Sequence, residues 1–182
     1  SLHWMNDEDY LRGKVPMTKS EVRILTMADF DLRPGMEFLD IGSGTGSIAI
    51  AAASLGCNVT ASECNEEALD LIAINRERFE MELRILPGKA PDSLEEQKYD
   101  RIFIGGSRGN LEEILDYSHR HLNEEGILGG NFVTIRNVET MRRFLKEKGY
   151  EMAVKHIAVS REDRIGILRA ENGVFLVKGR KR

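Results

Sequence analysis

The sequence has few cysteines and no long apolar run. Its only cysteines are Cys57 and Cys64, and no histidine lies near either, so their spacing does not indicate a metal site. No apolar run reaches the roughly 18 residues that a membrane-spanning helix requires. The N-terminal residues also lack the charged region and apolar core of a signal peptide. We therefore expect a cytoplasmic protein that has no membrane partner and whose two thiols are buried and inert.

A strong charge of one sign is also lacking. The formal net charge is −4, and such a field does not favour nucleic acid or an anionic membrane as a partner. Hydrophobic residues make up 41% and charged residues 31%, a balance that indicates a folded globular chain rather than a disordered one. We expect residues 1–182 to form one domain, in which residues 1–15 are an irregular N-terminal segment.

Apolar and amphipathic stretches alternate along the chain. This order predicts a Rossmann-like α/β fold, with a mostly parallel seven-stranded sheet that ends in a C-terminal antiparallel hairpin. The predicted strands cover residues 36–41, 57–62, 83–86, 99–104, 127–135, 151–160 and 173–178. The predicted helices cover residues 18–30, 46–55, 109–122 and 138–148, and a further helix begins after Asn65.

Polar residues predict where two of these helices begin. Thr18 is a candidate N-cap, and Glu21 three residues later completes the pattern of a capping box. Asn65 is a second candidate N-cap, because Glu66 and Glu67 follow it and their charges complement the positive end of a helix dipole.

A glycine-rich loop, Gly42-Ser43-Gly44-Thr45-Gly46, follows the first predicted strand. In an open α/β sheet, ligands bind beyond the carboxyl ends of the strands, which is where this loop lies. The glycines allow a tight turn and a close approach of the ligand, and the helix N-terminus that follows suits a carboxylate. The loop therefore predicts a ligand site.

Two acidic residues favour one ligand for this loop. Glu63 ends the second strand, about 20 residues after the first glycine, where a carboxylate accepts hydrogen bonds from ribose hydroxyls. Asp40 precedes the loop, where an acid can orient the loop and bind the amino group of a cationic ligand. A nicotinamide dinucleotide site prefers the spacing G-x-G-x-x-G, whereas this loop reads G-x-G-x-G. The pattern therefore predicts a methyltransferase that uses S-adenosylmethionine (SAM).

Several further segments resemble one methyltransferase family. Residues 12–23 read RGKVPMTKSEVR and are followed by LDIGSGTGS at residues 39–47. Shorter matches are GKAP at residues 88–91, IFIGGS at residues 102–107 and NFVT at residues 131–134. These segments are similar to those of the decarboxylating cobalt-precorrin methyltransferases of cobalamin synthesis, the CbiT family.

The resemblance implies a cofactor site, a reaction and an assembly. It implies SAM contacts from Thr18, Gly42, Ser43, Gly44, Thr45, Gly46, Glu63 and Ala90. It also implies a homotetramer that methylates carbon 15 of cobalt-precorrin-6B, a tetrapyrrole, and removes carbon dioxide from an acetate side chain. Glu63 and Lys89 both stand where the family often has aspartate.

This chemistry requires few catalytic groups. Methyl transfer from SAM needs mainly in-line positioning, so we expect no mandatory general base and no catalytic histidine. An acceptor rich in carboxylates predicts a basic pocket wall. Candidates for this wall are Arg12, Lys14, Lys19, Arg108 and Arg136.

Other functions remain open at this point. A tRNA methyltransferase shares the glycine loop, but residues 105–107 read GGS and not the Asn/Asp-Pro-Pro-aromatic motif of exocyclic amine methylation. A protein carboxyl methyltransferase, a non-catalytic SAM-sensing module and a dinucleotide-binding subunit are further alternatives. Titration with SAM and with a dinucleotide would separate the last two from each other.

Overall fold

The computed structural model describes residues 2–182 and is built on one large sheet. The strands are β1 Glu37–Ile41, β2 Asn58–Glu63, β3 Arg84–Pro87, β4 Tyr99–Ile104, β5 Leu122–Phe132, β6 Glu151–Ile157, β7 Ser160–Glu162, β8 Leu168–Ala170 and β9 Val174–Arg180. The helices are α1 Ser20–Asp29, α2 Ser47–Ser54, α3 Glu66–Arg78, α4 Leu111–His121 and α5 Ile135–Glu147, and a 3-10 helix covers Asp7–Asp9.

The large sheet has seven strands in the order β3-β2-β1-β4-β5-β9-β6. The pairs among β1 to β5 are parallel, and β9 runs antiparallel to both β5 and β6. The predicted fold class is confirmed, including the antiparallel pairing of the last two predicted strands. The chain proceeds outward from β1 to β3 and then returns to β4, so a crevice opens between the carboxyl ends of β1 and β4.

The structure differs from the sequence predictions in the segment between β6 and β9 and at the start of α5. The segment between β6 and β9 contains the small antiparallel hairpin β7-β8, whose three-residue strands are too short to produce a periodic pattern. Helix α5 begins at Ile135 because the Thr134 hydroxyl accepts a hydrogen bond from the backbone of Asn137.

In residues 2–182, every helix is too short or too polar to cross a membrane.

The predicted capping box at Thr18 is wrong. Helix α1 begins at Ser20, its N-cap is Lys19, and no side chain caps it. Glu21 pairs instead with Arg161 of β7, and Thr18 lies before the helix. The prediction for Asn65 is confirmed, because its side chain accepts a hydrogen bond from the backbone of Ala68 at 2.9 Å.

Two apolar layers cover the two faces of the sheet. One layer includes residues of α1, α2 and α3, and Phe30 contacts both Phe38 and Phe103 there with ring centroids 5.9 Å apart. The other layer packs α4 and α5 against β1, β4 and β5. Gly129 of β5 leaves room for the first layer, because a Cβ atom there would lie 2.7 Å from the Phe30 ring. Both faces are therefore buried, as a parallel sheet requires.

The N-terminal segment is held against α1 by the buried side chain of Arg23. Its guanidinium donates to the carbonyl oxygens of Trp4 at 2.8 Å and Thr18 at 2.6 Å, and to the carboxylate of Asp7 at 2.7 Å. It also lies 4.7 Å from the centre of the Tyr10 ring. One buried cation thus joins the irregular segment to the helix and fixes the backbone of Thr18, which lies near the glycine loop.

We expect Arg23→Met to lower the free energy of unfolding by about 3 kcal/mol, because the acceptors around the guanidinium lose their buried charged partner. Urea denaturation measures this loss. The matched control is Arg33→Met, whose side chain is 72% exposed and should change stability by less than about 0.5 kcal/mol. Equal effects of the two substitutions would contradict this account of the N-terminal segment.

Candidate active site

The glycine loop between β1 and α2 adopts a backbone that favours glycine. Gly42, Gly44 and Gly46 have φ values of 73°, 60° and 85°, which L side chains rarely adopt. A Cβ atom on Gly42 would lie 2.7 Å from the backbone nitrogen of Gly106 at the end of β4. The loops after β1 and β4 therefore approach each other so closely that no side chain fits at Gly42.

The carboxylate of Glu63 holds the glycine loop in place. Its Oε1 accepts a hydrogen bond from the backbone of Gly44 at 2.8 Å. Its Oε2 accepts from the backbones of Cys64 at 3.0 Å and Asn65 at 2.9 Å. The sequence predicts Glu63 only as a ligand contact, and the structure adds this anchoring role. Carboxylate oxygens have about four acceptor sites, so acceptor capacity remains for a ligand.

Two cavities meet at the loop, and Pro16, Gly42, Gly44 and Gly105 line both of them. The first, which we name the Glu63 chamber, has a volume of about 360 Å³. It is also lined by Lys14, Val15, Ile41, Ser62, Glu63, Cys64, Asn65, Glu67, Ala68, Gly88, Lys89, Ala90, Gly106, Ser107, Arg108, Asn110 and Ile114.

The second cavity, which we name the Asn131 chamber, has a volume of about 240 Å³. Its wall also includes Met17, Thr18, Lys19, Val22, Asp40, Ser43, Thr45, Ser47, Ile48, Phe103, Asn131, Val133, Ile157, Val159, Glu171, Asn172 and Val174. The glycine loop therefore separates two chambers, and the Asn131 chamber has more apolar side chains in its wall than the Glu63 chamber.

Asp40 is buried at the end of β1 and lines the Asn131 chamber. Its Oδ2 accepts a hydrogen bond from the Ser43 hydroxyl at 2.7 Å, so it orients the loop as predicted. Its Oδ1 has no hydrogen-bond partner within residues 2–182. Burial raises the pKa of Asp40 to about 7, and the charge of Glu63 adds to the rise while the Ser43 bond opposes it. The free oxygen fits a cationic group of a ligand.

The far wall of the Glu63 chamber is formed by the loops after β3 and β4. Gly88 donates its backbone N–H to the carbonyl of Glu63 at 3.0 Å. The Asn110 amide donates to the carbonyl of Ala90 and accepts from the backbone of Arg108 at 3.0 Å. Asn110 thus joins the two loops. Its position before α4 indicates an N-cap, but its side chain makes no capping bond.

The structure brings most of the predicted site residues together. Thr18, Gly42, Ser43, Gly44, Thr45, Glu63 and Ala90 each line at least one chamber, whereas Gly46 lines neither and precedes α2 with a left-handed backbone. Among the basic candidates, Lys14 and Arg108 line the Glu63 chamber and Lys19 lines the Asn131 chamber. Arg12 and Arg136 line neither chamber.

The cysteines and histidines differ in whether they line the two chambers. Cys57 is buried and its pKa is raised to about 11 by burial, as expected for an inert thiol. Cys64 is only partly buried and lines the Glu63 chamber, so the prediction of two buried thiols is wrong for it. In residues 2–182, the walls of both chambers contain no histidine, and His119 instead bonds the Tyr150 hydroxyl at 2.8 Å.

Asn131 is a site residue that the sequence predictions did not assign. It lies on β5 in the wall of the second chamber, and neither atom of its amide has a partner in the described part of the chain. The signal in the sequence is the amide after Gly129 and Gly130, which begins the NFVT segment that resembles the family. That signal is weak, because a strand pattern does not show whether a polar side chain is paired.

Comparison with known proteins identifies relatives that match most of the chain. A family model described as a precorrin methyltransferase domain matches residues 9–177. A cobalt-precorrin-6B C(15)-methyltransferase (decarboxylating) from Salmonella typhimurium is 40% identical over 80% of this chain and 77% of its own length. A probable enzyme of the same name from Pyrobaculum calidifontis is 36% identical, over 94% of this chain and 92% of that one.

A solved structure shares both the fold and part of the sequence. The precorrin-6y C5,15-methyltransferase from Geobacter metallireducens superposes with a TM-score of 0.92 and 31% identity, covering 96% of this chain and 95% of that one. Together with the glycine loop and its two acids, these matches show that the chain belongs to the precorrin methyltransferase family.

Proposed function

We propose that this protein methylates carbon 15 of cobalt-precorrin-6B with SAM and removes carbon dioxide from an acetate side chain of the same tetrapyrrole. Family membership and the names of the relatives support the reaction. The observation that carries the cofactor assignment is the pair of acids that accept hydrogen bonds from the glycine loop. Glu63 retains acceptor capacity in one chamber, and Asp40 has a free buried oxygen in the other.

These residues fit the separate parts of SAM. Glu63 would accept hydrogen bonds from the ribose hydroxyls, and the Ala90 backbone would contact the adenine. The free oxygen of Asp40 would take the ammonium group, and the loop from Gly42 to Gly46 with the start of α2 would take the carboxylate. Thr18 lies close enough to the loop to complete this wall.

When bound, SAM supplies an electrophilic methyl group on a sulfonium, which is already a good leaving group. The contribution of the chain is therefore to position the acceptor and to exclude water. The apolar wall of the Asn131 chamber, including Phe103, Ile157 and Val174, suits the edge of a tetrapyrrole ring. Lys19 in the same wall fits one of the ring's carboxylates.

Anaerobic incubation with SAM and cobalt-precorrin-6B, followed by mass spectrometry, tests the proposed function. We expect a product that has gained one methyl group and lost carbon dioxide. If SAM binds and the tetrapyrrole returns unchanged, the substrate assignment is wrong and tRNA becomes the next acceptor to test. If a dinucleotide binds more tightly than SAM, the cofactor assignment is wrong.

We expect Glu63→Gln to weaken SAM binding by about 10-fold to 100-fold, since a charged acceptor for the ribose contributes about 1.5–3 kcal/mol. The new amide also cannot accept all of the backbone N–H groups that Glu63 binds. Isothermal titration calorimetry measures the affinity. Glu66→Gln is the matched control, because Glu66 is exposed in the first turn of α3 and should bind SAM as the native chain does.

We expect SAM affinity to rise about tenfold between about pH 6 and pH 8, because Asp40 must lose its proton to bind the ammonium group. The pKa of Asp40 in the folded chain is raised to about 7. This lies above its unfolded value, so the folded state holds the proton more tightly and loses stability as the pH rises from about 4 to 7. Titrations over this range test the rise, and Asp40→Asn should bind weakly with no pH dependence. An equal rise in Asp40→Asn would assign the titration to another group.

We also propose a homotetramer and a cytoplasmic location. The edge strand β6 supports an assembly, because it exposes one row of backbone groups together with Val154. The free thiols of Cys57 and Cys64 support a reducing compartment. Sedimentation velocity measures the size of the assembly, and a monomer at all concentrations would contradict the first proposal.

A further inference from the structure

Asn131 occupies a central place in the chamber that bears its name. In the register between β4 and β5, Ile104 pairs with Gly130, so Asn131 is the next residue towards the ligand edge, level with Gly105. Gly105 lies in the wall of both chambers. The side chain of Asn131 therefore stands beside the boundary between the two chambers.

The amide of Asn131 is buried without hydrogen bonds. Both Nδ2 and Oδ1 are shielded from solvent, and neither has a partner among residues 2–182. Such an amide destabilises a fold, because its atoms lose water and gain nothing in return. Asn123, on the same strand, shows the ordinary case, since its Nδ2 donates to the carboxylate of Asp100 at 3.0 Å. An unpaired buried amide in a cavity wall indicates a ligand that completes it.

Two acidic groups of the chamber are already assigned or paired. The free oxygen of Asp40 fits the ammonium group of SAM, as proposed above. Glu171 is paired with Arg161 at 2.8 Å. The walls nearest the sheet and hairpin are apolar and include Phe103 and Val174. Asn131 is the uncharged residue of this wall whose side-chain polar atoms are buried without a partner, and this fits it to recognise the acceptor.

We propose that Asn131 is a specificity-determining residue that binds the acetate carboxylate which leaves as carbon dioxide. This inference rests on the proposed function and adds the residue that recognises the leaving group. In the reaction, the bond between the acetate methylene and the carboxyl carbon breaks. Carbon dioxide leaves, and the electron pair neutralises the positive charge that the transferred methyl group has brought to the conjugated ring. A proton that solvent adds to the resulting exocyclic methylene is balanced by one that the ring releases.

An amide suits this task better than a cation would. The negative charge moves off the carboxylate as the bond breaks, so a salt bridge would stabilise the ground state more than the transition state. A single N–H donor in an apolar wall orients the acetate carboxylate and stabilises its negative charge less than a cation would. The second atom of the amide, Oδ1, remains available to a donor at the boundary with the SAM site.

The test substitutes Asn131→Leu, which keeps the approximate size of the side chain and removes both polar atoms. We expect SAM affinity, measured by calorimetry without acceptor, to stay within about twofold of the native value. We expect the rate of decarboxylation to fall by more than about tenfold, because the variant loses one hydrogen bond to a charged group. A methylated product that retains its acetate should accumulate, and mass spectrometry detects it.

Two further variants separate recognition of the acceptor from a structural role. Asn131→Asp keeps the shape and places a negative charge opposite the acetate, so its loss of decarboxylation should exceed that of Asn131→Leu. Asn123→Leu is the matched control on the same strand. It removes a paired amide, so it should lower Tm and leave the ratio of decarboxylation to methylation unchanged. Asn131→Leu should not lower Tm, because the amide that it removes makes no hydrogen bond within residues 2–182.

Three outcomes would overturn the proposal. Native product ratios and rates with Asn131→Leu would remove the residue from recognition of the acceptor. A loss of SAM affinity equal to the loss of kcat/KM would assign Asn131 to the SAM site. A Tm that falls as far as that of Asn123→Leu would make its role structural. Failure of the proposed function is distinguishable from all of these, because the native chain itself would then leave cobalt-precorrin-6B unchanged.

Discussion

The carboxylate of Glu63 is the constraint on which the site depends. The hydrogen bonds that it accepts from backbone N–H groups join the glycine loop after β1 to the end of β2 and to the start of α3. Without this anchor, a loop containing Gly42, Gly44 and Gly46 would have many accessible conformations, because glycine loses more conformational entropy on ordering than other residues. The same carboxylate lines the chamber where we propose that the ribose binds, so one side chain would control both loop order and ligand recognition.

The close approach of the loops after β1 and β4 divides the crevice. Gly42 and Gly106 bring two backbones together, and a chamber lies on each side of this contact. A methyl donor and a large acceptor must meet in line while their other parts remain apart. Two chambers that share a narrow glycine boundary provide this arrangement. The buried acid Asp40 lies at the boundary, where burial raises its pKa and a ligand cation would restore its charge.

Much of this arrangement can be predicted from the sequence, because it depends on local patterns. The parallel strands, the glycine loop, Glu63 and the Asn65 cap each follow from residues that are neighbours in the chain. Other features depend on contacts between distant segments. The buried guanidinium of Arg23 binds the carbonyl oxygens of Trp4 and Thr18, which lie far apart in the chain. The amide of Asn131 is unpaired only because of how β5 packs. The Thr18 cap fails for the same reason, since Arg23 binds the Thr18 carbonyl and the helix starts later.

A crystal structure of the complex with S-adenosylhomocysteine is the sharpest test of the proposed SAM site, because that product retains every group assigned to it. We expect the ribose hydroxyls to lie within hydrogen-bond distance of Glu63 and the amino group to contact the free oxygen of Asp40. The part of the Asn131 chamber beyond Asp40 should remain open for the acceptor. A ribose in the Asn131 chamber, or an amino acid group bound to the Asn131 amide, would contradict the proposed SAM site.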